Sequence, residues 1–157
     1  MRLIFTVKKE DLRFKARLII GSHVVDASMH NSYASTVNPL SIRLLLTIAK
    51  ANNLDVVTAD IGNAFVHADS KEMVYSRAGP EIGQREGCIV IVMKALYGLV
   101  TSPRQWQNEC LADTLRSLGF IPTRADPDLW YKRSTHYNGN DYIGTHIDDL
   151  IIAAKRP

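Results

Sequence analysis

The sequence predicts an α+β domain, an antiparallel sheet with helices packed on one face, and three observations carry that expectation. Strand-length apolar runs bounded by turn residues recur along the chain and end in a hairpin. Two stretches of helical periodicity each open on a polar residue followed by proline. With 157 residues, 46% of them hydrophobic, the chain has enough material for one sizeable core, and no internal repeat or Gly/Ser linker divides it.

The first strand expected is Phe14-Lys15-Ala16-Arg17-Leu18-Ile19-Ile20, with Lys15 and Arg17 on one face and Gly21-Ser22 ending it. From His23 to Val37 the chain is rich in Ser, Asn and His without periodicity, the signature of a long connection. Asn38-Pro39 then opens a helix, an N-cap acceptor followed by a proline whose missing N–H costs nothing at the first helical position. Leu40, Leu44 and Ile48, with Leu45 and Ala49 beside them, form its apolar stripe, and Asn52-Asn53 closes it. Leu54 to Ile61 reads as a strand that carries Asp60 near its end and breaks at Gly62-Asn63.

Met73 to Arg77 and Cys88 to Lys94 are further strands, separated by a segment containing Gly79, Pro80, Gly83 and Gly87. A second helix starts at Ser102, where Ser102 and Gln105 have capping-box spacing and Pro103 takes the first helical position. Trp106, Cys110, Leu111, Leu115 and Leu118 make its buried face, and Gly119 terminates it. Trp130-Tyr131 is a short strand. Tyr142 to Ile147 and Leu150 to Ala154 form the final hairpin, with Asp148-Asp149 at or beside its turn.

Composition excludes several classes. With 22% charged residues and apolar runs no longer than stretches such as Cys88 to Met93, neither disorder nor a membrane span fits. No secretory signal is readable at the N-terminus, so the expected location is intracellular. Two cysteines without CxxC spacing suggest neither a disulfide framework nor a zinc site, and both read as core residues. His23, His30, His67 and His136 lack ligand spacing and read as surface or loop residues. A net charge of +3 permits contact with a polyanion without demanding it.

The chemistry concentrates in two acidic features that interrupt apolar segments. One is Asp60 at a strand end; the other is Asp148-Asp149, set between Ile147 and Leu150-Ile151-Ile152. Carboxylates at the ends of adjacent strands converge only if a proton or a cation offsets their repulsion. Hard oxygen ligands suit magnesium, which takes one or two protein carboxylates and keeps water and phosphate in its other positions. Singly, each feature is equally well explained as ordinary turn chemistry. Likewise, taken alone, Arg17 reads as one exposed charge, Phe65 as a core aromatic and Tyr97-Gly98 as a turn.

An ordered set of motifs goes further. Lys15-Ala16-Arg17-Leu18, Ser41 to Leu46, Thr58-Ala59-Asp60-Ile61-Gly62-Asn63-Ala64-Phe65-Val66-His67, Lys94 to Leu99 running on to Ser102-Pro103-Arg104-Gln105-Trp106, Leu118-Gly119-Phe120, Ala125-Asp126-Pro127 and Thr145-His146-Ile147-Asp148-Asp149 follow one another along the chain. Together they resemble the fingers and palm of copia-type retrotransposon reverse transcriptases from about residue 14 to the C-terminus. The resemblance implies part of a right-hand polymerase with an antiparallel palm sheet and RNA-directed DNA synthesis. It also implies two Mg²⁺ ions (Mn²⁺ as an alternative), deoxynucleoside triphosphates and an RNA or DNA template with primer, in the cytoplasm within a virus-like particle or in the nucleus.

Carried over by position, the resemblance makes Asp60 and Asp148 metal ligands, with the Ile61 carbonyl as a further ligand and Asp149 supporting the cluster. Arg17 meets the triphosphate, a role suited to a planar, permanently charged fork. The backbone N–H groups of Asn63 and Ala64 lie at the phosphates, Phe65 crowds the sugar 2′ position, and Tyr97 and Gly98 line the nucleotide and template side. His146, at the primer end, stands where the family usually has tyrosine, and its ring is smaller. The primer-grip hairpin, thumb, RNase H, protease and integrase regions have no counterpart in these residues. The alternative expectation is accordingly a degenerate or domesticated fragment that keeps the fold and binds nucleic acid without catalysis. A third expectation, an unrelated α+β domain with turn aspartates, requires Asp60 and Asp148 to lie apart.

Overall fold

A computed structural model describes residues 2–7, 12–20, 34–71 and 73–155. In chain order its strands and helices are β1 (Arg2–Val7), β2 (Phe14–Ile19), α1 (Pro39–Ala51), β3 (Asp55–Asp60), β4 (Tyr75–Arg77), β5 (Ile89–Ile91), α2 (Ser102–Gln105), α3 (Ala112–Ser117), β6 (Ile121–Pro122), β7 (Leu129–Arg133), β8 (Asn140–His146) and β9 (Asp149–Ala154). Short 3-10 segments cover Ala64–His67 and Pro80–Arg85, and a π-helical stretch, Trp106–Leu111, joins α2 to α3. The three sheets are antiparallel, as expected of this mixed α/β sequence. Among the described residues no helix is long and apolar enough to cross a membrane. The connection from His23 to Tyr33, with His23, His30 and the Gly21-Ser22 break, lies outside the described residues.

The chain gathers into two compact units, one of Met1–Tyr33 with Phe65–Cys110 and one of Ala34–Ala64 with Leu111–Pro157. In the first, β1 pairs with β2 and β4 with β5 as separate two-stranded ribbons. Ile20, Val74, Val92 and Leu99 form its core with Leu96 against them. Val74 and Val92 flank the β4–β5 ribbon and are buried, whereas Met73, Tyr75, Ile89, Ile91 and Met93 alternate with the buried positions and are exposed. Regular pairing here is shorter than the apolar runs suggested, Tyr75–Arg77 and Ile89–Ile91 only. Strand β1 has no counterpart among the expected elements.

The second unit holds the five-stranded sheet, in the order β3-β9-β8-β7-β6, with α1 packed against β9, β3 and β8. Its core is Val37, Leu45, Ala49, Leu54, Leu129 and Ala153, with Ile42, Tyr137, Tyr142 and Ile151 packed around it. The Asn38-Pro39 start is as expected: the Asn38 side chain accepts from the Leu40 N–H at 2.8 Å, and Pro39 sits in the first turn. Asn52 caps the other end, and Asn53 takes a left-handed conformation. Of the predicted stripe, Leu45 and Ala49 are buried and face the sheet together with Ile42, whereas Leu40 and Leu44 are 71% and 55% exposed, so the buried face is displaced to one side of it. Six leucines and isoleucines crowd this helix, so periodicity alone left two overlapping stripes, and packing on the sheet chose between them.

Three further expectations are corrected. Ser102 does not cap the second helix; the N-cap is Thr101, whose side chain makes no capping bond to the helix, and the Ser102 hydroxyl instead donates to the Leu96 carbonyl at 2.7 Å. Leu118 is 56% exposed, because α3 ends at Ser117 and Leu118 is its C-cap, where the chain leaves the helix. Cys88 is exposed and Cys110 half-buried, so neither is a core cysteine. Trp106 is buried as expected, and the exposed His67 and His136 are surface residues.

Candidate active site

Strand β3 sits at one edge of the sheet and runs antiparallel to β9, which ends the ladder with Asp60 directly opposite Asp149. On its other side β9 pairs with β8, and there His146 lies opposite Asp149. Residues directly opposite in antiparallel strands project from the same face. Asp60, Asp149 and His146 therefore form one row across three strands. All three are exposed, while Asp148 is half-buried.

The β8–β9 hairpin turns on two residues, Ile147 and Asp148. Such tight turns need a positive φ that glycine or asparagine usually supplies. Here Ile147 adopts it, with φ 58°, a conformation that costs a β-branched residue about 1–3 kcal/mol. A cross-link offsets part of this: the Ile61 N–H, immediately after Asp60, donates to the Asp148 carbonyl at 2.8 Å. The two acidic segments are thus tied together through the backbone as well as the ladder, so the arrangement with Asp60 and Asp148 far apart does not occur.

Among the described residues, no group of three or more His, Cys, Asp or Glu side chains is arranged to hold a metal. A magnesium ion needs less, because it takes one or two carboxylates and keeps its water. The donors at the end of β3 and in the hairpin are hard oxygens, solvent-accessible and drawn from strands held in register, which fits that ion. Asn63, at φ 55°, and the buried Ala64 follow directly and lead into the 3-10 turn Ala64–His67.

The hairpin has a support that sequence reasoning missed. Thr145, 1% exposed, is pinned on both sides. Its N–H and hydroxyl donate to the Asp128 carbonyl at 2.9 and 3.2 Å, and its carbonyl accepts from the Val37 N–H at 2.9 Å. Nearby, the Asp126 carboxylate accepts from the backbone N–H groups of Asn38 (2.9 Å) and Asp128 (3.0 Å) and from the Ser41 side chain. Burial opposes the charge on Asp126, yet these three donors outweigh it and hold the carboxyl below the usual range. The start of α1 and the start of β7 are thereby bound to the end of β8. Thr145 and Asp126 both lay inside quoted motifs, but their partners are distant in sequence, and no local signal names them.

The first unit assembles its own cluster from three segments. The Arg17 guanidinium lies 5.9 Å from the centroid of the Tyr97 ring, and the Phe65 ring is tilted against the same ring at 4.7 Å. Phe65 is buried and Arg17 half-buried. Residue Ile19 bridges Tyr97 in parallel, and the Ile20 N–H donates to the Tyr97 carbonyl at 3.0 Å. Gly98, at φ 98°, passes so close to Ile20 that a Cβ would fall on its carbonyl oxygen. Arg17, Phe65, Tyr97 and Gly98, expected to serve one ligand, are brought together here.

Comparison with known proteins follows the same line. The family described as "Reverse transcriptase (RNA-dependent DNA polymerase)" matches residues 1–156. The chain is 28% identical to the retrovirus-related Pol polyprotein from transposon TNT 1-94 of Nicotiana tabacum, over 97% of this chain and 12% of that protein. It is 29% identical to the retrovirus-related Pol polyprotein from transposon RE1 of Arabidopsis thaliana, over 99% of this chain and 11% of that one. Identity to the transposon Ty1-LR2 Gag-Pol polyprotein of Saccharomyces cerevisiae is 27%, over 94% and 8% respectively. The chain thus spans about a tenth of the length of these relatives. No solved structure matches it.

Proposed function

The chain belongs to the reverse transcriptase (RNA-dependent DNA polymerase) family, and from that premise we propose that it is the partial fingers and palm of a copia-type polymerase that extends a primer with deoxynucleotides. The unit containing the five-stranded sheet is its palm portion, and the unit containing β1 and β2 its fingers portion. Template with primer and deoxynucleoside triphosphate are the substrates, and the site of action is the cytoplasm, within a virus-like particle, or the nucleus.

The observation that carries the reading is the register of β3 with β9, which sets Asp60 opposite Asp149 beside the Asp148 turn. Asp60 and Asp148 would hold the divalent ions, with the Ile61 carbonyl as a further donor and Asp149 adding negative charge that draws cations to the row. Two Mg²⁺ ions, when bound, favour ionisation of the primer 3′-hydroxyl and neutralise charge on the leaving phosphates, chemistry that Mn²⁺ also supports. The protein's share is placement. Arg17 donates a bidentate pair to phosphate oxygens, and the Asn63 and Ala64 N–H groups are phosphate donors of the palm portion. The Phe65 ring rejects a 2′-hydroxyl by clash, Tyr97 lines the nucleotide, and His146 packs at the primer end. No covalent enzyme intermediate is required, since positioning and electrostatics supply the rate.

The test is primer extension on an RNA template with Mg²⁺, comparing the wild-type chain with Asp60→Asn and Asp148→Asn. Extension by the wild type and its loss in both folded variants is the expected result. Extension unchanged in either variant refutes the assignment, and metal binding without any extension by the wild type leaves the chain as a nucleic-acid-binding fragment.

A further inference from the structure

Gly98 joins two features of the first unit that are otherwise independent, the end of β2 and the Tyr97 ring. At φ 98° it has a backbone that side-chain-bearing residues rarely adopt. Added to this, a Cβ would meet three backbone atoms of Ile20: its oxygen well inside contact distance, its carbon at 3.0 Å and its nitrogen at 3.2 Å. These are main-chain atoms, so nothing flexible is available to yield. The approach is needed because the Ile20 N–H reaches the Tyr97 carbonyl at 3.0 Å and Ile19 bridges Tyr97.

Arg17 stands on β2 just before this latch, with its guanidinium over the ring of Tyr97. Among the described residues the β1–β2 ribbon has no further strand paired beside it. Its end is anchored by the burial of Ile20, 3% exposed, and by this backbone pairing. We propose that Gly98 is a positioning residue that acts through Ile20: by admitting the end of β2 to the Tyr97 backbone, it sets where Arg17 presents its charge to a nucleotide triphosphate. This rests on the polymerase reading for the role of Arg17, and departs from it in giving Gly98 no nucleotide contact of its own.

Linkage supplies a test that needs no variant of the latch. If closure of the Ile20–Tyr97 pair places Arg17, then a ligand of Arg17 must stabilise that pair by the same factor. Amide exchange is measured on the full chain with and without dTTP and Mg²⁺. The Ile20 amide is expected to slow by about fivefold or more when dTTP binds, and to be indifferent to dTTP in Arg17→Ala.

The variant arm is Gly98→Ala against Gly87→Ala. Gly87 also has a positive φ, 80°, yet a Cβ there meets nothing within 4 Å, so its substitution carries the backbone cost without the collision. Gly98→Ala is expected to weaken dTTP binding about tenfold, and Gly87→Ala to leave it unchanged. Adding Gly98→Ala to Arg17→Ala should cost no further affinity. Binding of dTTP that leaves Ile20 exchange unaltered, or full additivity of the two substitutions, overturns this assignment alone. Failure of the wild-type chain to bind dTTP at all overturns the polymerase reading and this assignment with it.

Discussion

Asp60 and Asp149 close the β3–β9 ladder as a directly opposed pair of carboxylates. Like charges facing each other across two strands cost about 0.2–1 kcal/mol, and both side chains are exposed, so salt screens part of this. A sheet edge built only for stability would not carry this pair next to a further aspartate at the turn. Asp60→Asn should therefore raise the melting temperature slightly in metal-free, low-salt buffer while removing primer extension. Millimolar Mg²⁺ should raise the melting temperature of the wild type and not of the variant. Calorimetry with and without Mg²⁺ checks both, and a variant less stable than the wild type in metal-free buffer would contradict the repulsion argument.

Phe65 is 8% exposed and its ring is tilted against Tyr97 at 4.7 Å, so it is both a packing element and the proposed barrier to a 2′-hydroxyl. Truncation to alanine would confound the two, because losing a buried phenylalanine costs about 3–5 kcal/mol. Phe65→Val keeps more of the packing and withdraws the ring edge. The preference for deoxy- over ribonucleotides should fall by about 10- to 100-fold in competition assays, through faster ribonucleotide use rather than slower deoxynucleotide use.

What the sequence made legible was local, and what it hid depends on distant partners. The Asn38-Pro39 cap, the Asp60 strand end and the Asp148-Asp149 hairpin announce themselves through neighbours a few residues away, and each is found where expected. Ser102 misled because its spacing to Gln105 fits a capping box, yet its hydroxyl donates instead to the Leu96 carbonyl, which also accepts from the Leu99 N–H. Gly98 read as a turn glycine, and only the approach of Ile20 shows why no other residue serves. The convergence of Arg17, Phe65 and Tyr97 was implied by motif order alone. Nothing in their own periodicity places them together.

The displaced stripe of α1 makes a sharp prediction, since adjacent leucines have opposite fates. Leu45 is 0% exposed and part of the core, whereas Leu44 is 55% exposed. Leu45→Ala should destabilise by about 2–5 kcal/mol, and Leu44→Gln should change stability by less than about 0.5 kcal/mol. Urea midpoints at constant m-value measure the difference. Comparable losses from both would restore the stripe that periodicity suggested.

Asp126 gives the second unit a built-in acid sensitivity. Its carboxylate accepts from the N–H groups of Asn38 and Asp128 and from Ser41, so the ionised form is favoured by folding despite burial. A carboxyl whose folded pKa lies below its unfolded value of about 3.9 contributes stability that is fully present above that value and lost as pH falls through the folded pKa. Stability should therefore hold from neutral pH to about 5 and decline below about 4 as Asp126 protonates. Asp126→Asn, which keeps the shape but replaces one accepting oxygen by a donor, should cost about 1–3 kcal/mol at pH 7. The gap between wild type and variant should then narrow as the pH is lowered past 4. Urea denaturation at pH 7, 5 and 3.5 separates this from general acid unfolding, because other carboxylates lower both curves alike. A gap that stays constant across the three would show that the charge of Asp126 contributes nothing to the joint between α1 and β7.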